Sequence, residues 1–347
     1  YRALGNAARA LQDFAQAERL APTDANVFRE RAALFLDQQL LHEALTQLDR
    51  AVAVQPTATN LRARGGVYHR LNRFDEALAD FTACINLEPQ VAAHYTSRGS
   101  VRGELGQSRG ALEDFSESIR LEPSALAFYN RGNVYLRTGE LDRAEEDFSR
   151  AIELDPRYAP AYNNRGSVKV RRNDLAGGLL DYEQAIRLDP TNSRATFNRG
   201  TIHETFGRTA QARADYDTAL ALDPNYANAY EARARLRIAQ NDGQGAIEDL
   251  THLIRLVPDH PRAYSTRAAV RAALGDSAAA LQDLRLATQA RQADFRAWFE
   301  LASYLAQVGR LDEARAAVHQ ARELCPPEQR PALEDAIERI LHAGRGE

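Results

Sequence analysis

Methionine is absent from this chain of 347 residues, lysine occurs once, at Lys169, tryptophan once and cysteine twice. Each scarcity removes a class of explanation. Cys84 and Cys325 stand far apart in the chain and fit neither a disulfide scaffold nor a metal site. No apolar run approaches the roughly 18 residues that a membrane-spanning helix needs, so no membrane insertion is expected. An excess of one charge is also missing: 44 basic and 48 acidic residues leave a formal net charge of −4, which gives no electrostatic footprint for nucleic acid. The eight histidines are scattered, with no His-x-x-x-His pair. There is no glycine-rich phosphate loop, and neighbouring carboxylates such as Glu145 and Glu146 read as solvated helix charges. No metal, cofactor or catalytic constellation is therefore expected, and the chain reads as a non-enzyme. The preference for arginine over lysine reads as coding bias. No signal peptide is visible, which makes the cytoplasm the default compartment. The chain opens in mid-helix, however, so a preceding segment is expected.

What the sequence does have is a proline beat. Pro22, Pro56, Pro89, Pro123, Pro156, Pro190, Pro224 and Pro258 follow one another at 33 or 34 residues. The next beat falls on Gln292 and the one after on Pro326. Self-similarity at this period means stacked two-helix units, none of which buries its apolar face alone.

The stretch Ala125 to Pro156 is the cleanest unit, and its places can be counted from Ala125. Phe128, Gly132, Tyr135, Ala144, Phe148, Ala151 and Pro156 hold its places 4, 8, 11, 20, 24, 27 and 32. Gly or Asn stands at place 15 in nine of ten units, from Gly5 and Asn72 to Gly309, and only Gln39 departs. These residues tolerate the left-handed conformation that ends a helix, so they mark the turn inside each unit. Small residues at places 8 and 20 let two helices approach, large ones at 4 and 24 insert between neighbours, and proline ends the second helix.

This pattern resembles the tetratricopeptide repeat. The resemblance covers a partial repeat over 1–24, full repeats starting near 25, 58, 92, 125, 159, 193, 227, 261 and 295, and a capping helix and tail over 327–347. The partial repeat places Ala10, Phe14, Ala17 and Pro22 in register, and the cap carries Leu333, Ile337, Ile340 and Leu341 on one face. It implies an all-α fold, a right-handed α-solenoid superhelix of stacked antiparallel helix pairs, with residues 1–326 forming one solenoid.

Two local features stand apart from the family pattern. Place 7 is arginine in eight successive units, from Arg31 and Arg64 to Arg267, and place 23 is aspartate in seven of them, from Asp80 to Asp283. Both are lost together in the last unit, to Leu301 and Ala317, and Gln47 is expected to accept a hydrogen bond where aspartate is missing. A ladder of Arg–Asp pairs is expected, within each unit or between neighbours; in the second case Asp13 would meet Arg31. Gly177 and Gly178, early in a second helix, imply either closer helix packing or a soft joint.

By the resemblance, the first helices line a concave groove through places 2, 5, 6, 9, 12 and 13. The N-terminal groove is charged, with Arg29, Glu30, Asp37, Arg62, His69 and Arg70, and the C-terminal part is mixed, with Glu231, Arg235, Arg262, Phe299 and Glu300. The middle is polar and amide-rich, with Thr96, Ser97, Ser100, Tyr129, Asn130, Asn133, Asn163, Asn164, Ser167, Asn198 and Thr201, bordered by Arg194 and Phe197. Asn130, Asn164 and Asn198 share place 6 in consecutive units. A carboxamide carries two donors and an acceptor, so such a row suits a peptide backbone. It is similar to the asparagine ladder in the repeat domain of O-linked N-acetylglucosamine transferases, of which only the binding mode carries over. A carboxylate clamp of the kind that grips chaperone C-termini would use Asn133, Asn164 and Arg194. Tyr129 and Asn198 stand where it needs cations, which argues against it.

The expected function is a non-catalytic protein-interaction scaffold that holds an extended peptide of a protein partner in the groove, as a monomer or weak homo-oligomer. A recruiting or regulatory arm of a larger enzyme and a self-associating structural scaffold are the alternatives.

Overall fold

Buried residues recur at helical spacing throughout. Ala144, Asp147, Phe148 and Ala151 are the buried face of one second helix, at steps of three and four residues. Such a face needs a partner, and the neighbouring helices supply it. The structure, a computed structural model, describes residues 7–290 and 295–343. Gly5 and Gln292 lie outside the described residues, as do the side chains of Ala10, Ile340 and Leu341.

Among the described residues there are twenty α-helices and no strand, grouped in two compact units, Tyr1–Leu188 and Asp189–Glu347. The first unit opens with α1 (Ala7–Leu20). Its helix pairs are α2 (Ala25–Asp37) with α3 (Leu41–Val54), α4 (Ala58–Arg70) with α5 (Phe74–Leu87), α6 (Ala92–Glu104) with α7 (Ser108–Leu121), α8 (Ala125–Thr138) with α9 (Leu141–Leu154), and α10 (Ala159–Arg171) with α11 (Leu175–Leu188). The second unit has α12 (Ser193–Thr205) with α13 (Thr209–Leu222), α14 (Ala227–Ala239) with α15 (Gly243–Leu256), α16 (Pro261–Ala273) with α17 (Ser277–Ala290), and α18 (Phe295–Gln307) with α19 (Leu311–Leu324). A 3₁₀ turn, Pro327–Gln329, leads into α20 (Arg330–Ala343), which buries Leu333 and Ile337 against the last pair. None of these helices is long and apolar enough to cross a membrane.

Every turn inside a pair has one residue in the left-handed region: Gln39, Asn72, Gly106, Gly139, Asn173, Gly207, Asn241, Gly275 and Gly309, with φ from 57° to 85°. Gln39 thus obeys the backbone rule that its residue type breaks. The N–H that follows each of them bonds back five residues, as Glu140 does to the Tyr135 carbonyl at 2.9 Å, which closes the first helix. Gly178 holds the small place 20 of its repeat, and its carbonyl lies 3.2 Å from where a Cβ on Gly166 would sit. The two helices of this repeat thus pack closely at that point. At Gly177 the N–H is taken at 2.8 Å by the Asp174 carboxylate, which caps α11.

The Arg–Asp ladder forms within repeats. From Arg64–Asp80 to Arg267–Asp283, each arginine donates through Nε at 2.8–3.0 Å and through Nη2 at 2.5–2.8 Å to one aspartate. The remaining Nη1 reaches the preceding repeat at place 25: Asp49, Thr82, Ser116 and Ser149 in the first unit, Asp217 and Thr251 in the second, at 2.6–3.4 Å. One guanidinium thus ties three helices. Several aspartates hold a second cation at place 11, and the single lysine serves here, Lys169 Nζ lying 2.8 Å from Asp181. Arg31 departs from the expected pattern. It donates to Glu18 of α1 at 2.9 Å, and Gln47 Oε1 is left buried without a partner. A full carboxylate within reach outcompetes a neutral amide for a guanidinium.

Cys84 fills place 27, which is alanine in most of the pairs, and its thiol donates to the Ala58 carbonyl at 3.3 Å. Burial, and then the nearby Asp80, push this thiol up to about 11. The folded chain keeps it protonated where an unfolded thiol, with pKa about 8.5, has ionised. The associated stability is complete below that pH and is lost as pH rises towards 11. We expect Cys84→Ala to change stability at pH 7 by no more than about 1 kcal/mol and to remove roughly 2–3 kcal/mol of the alkaline decline. Urea unfolding of both proteins at pH 7 and at pH 10.5, under reducing conditions, checks this.

Candidate inner-face site

Within the first unit the first helices of successive repeats approach one another, α4 to α6, α6 to α8 and α8 to α10, more closely than the second helices do. The first helices therefore make the inner face. In the second unit α16 and α18 approach in the same way.

The inner face of the first unit centres on amides. Asn164 Nδ2 donates to Asn133 Oδ1 at 2.6 Å and lies 3.3 Å from the Tyr129 hydroxyl, while Asn163 Nδ2 donates to Asn164 Oδ1 at 2.9 Å. All four side chains are half-buried. Asn130, one turn from Asn133 and on the same side of α8, has no hydrogen-bond partner among the described residues. The Tyr129 ring rests 5.9 Å from Phe148 and edge-on to Tyr158 at 5.2 Å, which fixes it as a wall. Burial, and then the neighbouring Tyr129, raise the Tyr158 phenol above its ordinary range.

The hydroxyls are engaged locally. Ser97 donates to the Ala93 carbonyl at 2.9 Å, Ser100 to that of Thr96 at 2.9 Å, and Ser167 to that of Asn163 at 3.1 Å. Thr96 turns into the stack and shares a 2.7 Å hydrogen bond with buried Ser118. They offer acceptor lone pairs and little bulk. No member of the amide cluster ionises near neutral pH, so the arrangement can bind and orient but cannot carry a proton in a reaction.

Two cations that sequence reasoning passed over rim this face. Arg137 donates to the Gly103 carbonyl at 2.7 Å and Arg171 to that of Leu136 at 3.5 Å, each at the C-terminal end of the preceding first helix. Both hold place 13, so counting places flags them, although the middle of the groove reads as neutral from its amides. Their position favours the helix dipole.

The second unit carries the remaining residues on α12. Arg194 is exposed, and Phe197 packs between Tyr216 at 5.6 Å and Tyr226 at 4.9 Å, repeating the register of Tyr129. The Asn198 carbonyl accepts from Thr201 at 2.7 Å. Nearby, Tyr216 donates to Glu204 at 2.6 Å, and Arg235 grips the same carboxylate at 2.9 and 3.1 Å. Burial, and then Glu204, push the Tyr216 phenol far up. Burial also works to raise Glu204, but Arg235 and Tyr216 outweigh it and lower that carboxyl. This network closes on itself. Glu204 holds place 12, so counting places flags it as well, but its partners come from a neighbouring helix and the next repeat and are not legible from the place alone. No group of three or more His, Cys, Asp or Glu is placed to hold a metal ion among the described residues.

Family models described as tetratricopeptide repeat match residues 125–158 in one case and 29–86 and 163–227 in another. Among solved structures, a tetratricopeptide repeat protein from Parabacteroides merdae is 21% identical, covers 71% of this chain and 98% of its own, and superposes with a TM-score of 0.55. The pilF protein of Pseudomonas aeruginosa is 18% identical over 62% of this chain and 97% of its own, with a TM-score of 0.55. The Cut9-Hcn1 hetero-tetramer of the APC/C provides a chain 15% identical over 95% of this one and 81% of its own, with a TM-score of 0.52. At these identities the likeness is one of fold. No curated protein matches the chain.

Proposed function

Since the chain belongs to the tetratricopeptide repeat family, whose fold serves in general as a protein-interaction scaffold, we propose that it holds an extended segment of a protein partner against the inner face of its first unit, without catalysis. The observation that carries this reading is the half-buried amide patch of Asn130, Asn133 and Asn164 beside the fixed Tyr129 ring. Carboxamides pair with peptide N–H and C=O groups irrespective of side chains, and an aromatic wall adds contact area. Asn130 enters with both amide functions open, whereas Asn164 is pre-oriented by Asn133 and Asn163. Asn163, Ser97, Ser100 and Ser167 supply the surrounding polar surface. In the second unit, α12 offers Phe197, Asn198 and Thr201 for contact, and exposed Arg194 suits an acidic side chain.

The test uses unstructured twelve-residue peptides selected on the intact chain from a displayed library. Replacing Asn130, Asn133 and Asn164 together by alanine should weaken the selected peptides roughly 100-fold, at about 1 kcal/mol for each lost hydrogen bond. N-methylation of the peptide backbone should cost more than alanine replacement of its side chains. Unchanged affinity in the triple variant, with helicity retained, rejects the site.

A further inference from the structure

We infer that a slot between α17 and α19, floored by α18, binds a small amphipathic carboxylate, a medium-chain or aromatic acid. In the two repeats before it the corresponding furrow is bridged. Arg233 and Arg267 each grip an aspartate of their own second helix and reach back to Asp217 and Thr251 on the preceding one. In the last repeat Leu301 and Ala317 replace the bridging pair, and a cavity of about 720 Å³ stands open there. Arg285 and Gln289 form one wall, Gln320 and Leu324 the other, and Trp298 and Leu301 the floor.

The cation has changed sides. Elsewhere the floor supplies a guanidinium and place 25 of the preceding repeat supplies its acceptor; here Arg285 occupies place 25 and the floor is apolar. Arg285 gives Nη2 to Glu313 at 3.0 Å, and both side chains are about half exposed. Its other guanidinium donors have no partner among the described residues, and Glu313 is also held by Arg310. The indole N–H of Trp298 is buried without an acceptor. An apolar floor beside a partly committed guanidinium fork fits a ligand with a hydrocarbon body and one carboxylate. The volume lies within the range of small-molecule sites.

Trp298 is the only tryptophan, so its fluorescence reports on this slot directly. The intact chain would be titrated with octanoate and 4-phenylbutyrate, with octanol and octylamine as controls. A saturable change with the acids is expected, about tenfold weaker in Arg285→Gln. In the double variant Leu301→Arg, Ala317→Asp the restored pair should fill the slot and abolish the response while far-ultraviolet circular dichroism is unchanged. Absence of a saturable response to the acids, an equal response to octanol, or octanoate binding retained in the folded double variant would each overturn the inference.

Discussion

Replacing Asp147 by alanine should cost about 3–5 kcal/mol, because it strands a guanidinium that forms no ion pair with any other carboxylate among the described residues. Asp147 is buried, receives two hydrogen bonds of 2.8 Å from Arg131, and lacks the second cation that several other repeats provide. The balance is already fine at this position: burial, opposed by Arg131, leaves the Asp147 carboxyl above its ordinary range. The chain itself indicates the compensating change. Its last repeat replaces the pair with Leu301 and Ala317, both buried, within a continuous apolar cluster. We therefore expect Arg131→Leu combined with Asp147→Ala to recover most of the loss, leaving a deficit of no more than about 1–2 kcal/mol, since a buried ion pair and well-packed apolar residues are often nearly equivalent. A double-mutant cycle read by urea unfolding, with hydrogen exchange to locate the effect at α8 and α9, would measure the coupling. A cycle that closes to zero would mean that the pair orders the stack without stabilising it.

How far the sequence carries can be judged from particular residues. Features that depend on one repeat alone were readable: the left-handed turn at place 15, the small places 8 and 20, and the Arg–Asp partners sixteen residues apart. Features that depend on who stands next door were not. Arg31 was expected to find Gln47 or Asp13, yet Glu18 lies closer to its reach. For Arg64, Arg98, Arg131, Arg165, Arg233 and Arg267 the third hydrogen bond goes to place 25 of the preceding repeat, a short polar side chain with no conspicuous pattern. On the inner face, counting places picks out Tyr129, Asn133, Asn163 and Asn164, which the fold brings together, but whether an amide is open or bonded depends on side chains one repeat away. Asn130 is open and Asn164 is held by Asn133, although both occupy place 6.

The second large effect is expected at Gly132. A Cβ there would lie 2.8 Å from Cε1 of Phe148, which is fully buried, so Gly132→Ala should destabilise the first unit by about 2–3 kcal/mol through overpacking. The same collision is set up at Gly65, Gly99, Gly166 and Gly200, each of which would place a Cβ 2.8–3.0 Å from the ring of Phe81, Phe115, Tyr182 or Tyr216. Where place 8 is alanine, as in Ala32, Ala234, Ala268 and Ala302, place 24 is Leu48, Leu250, Leu284 and Val318 instead. Size is thus exchanged between the two places, and Phe148→Leu should rescue Gly132→Ala: the double variant should be no less stable than Phe148→Leu alone, which by itself should cost about 1–2 kcal/mol. If the second substitution gave no rescue, the glycine would be required for something other than the ring. The exchange also bears on binding. Tyr129 and Phe197 lean on Phe148 and Tyr216, so the aromatic at place 24 holds the inner-face wall in position. The rescued variant should therefore keep its helices yet lose affinity for peptides at Tyr129, separating what the ring does for the stack from what it does for the groove.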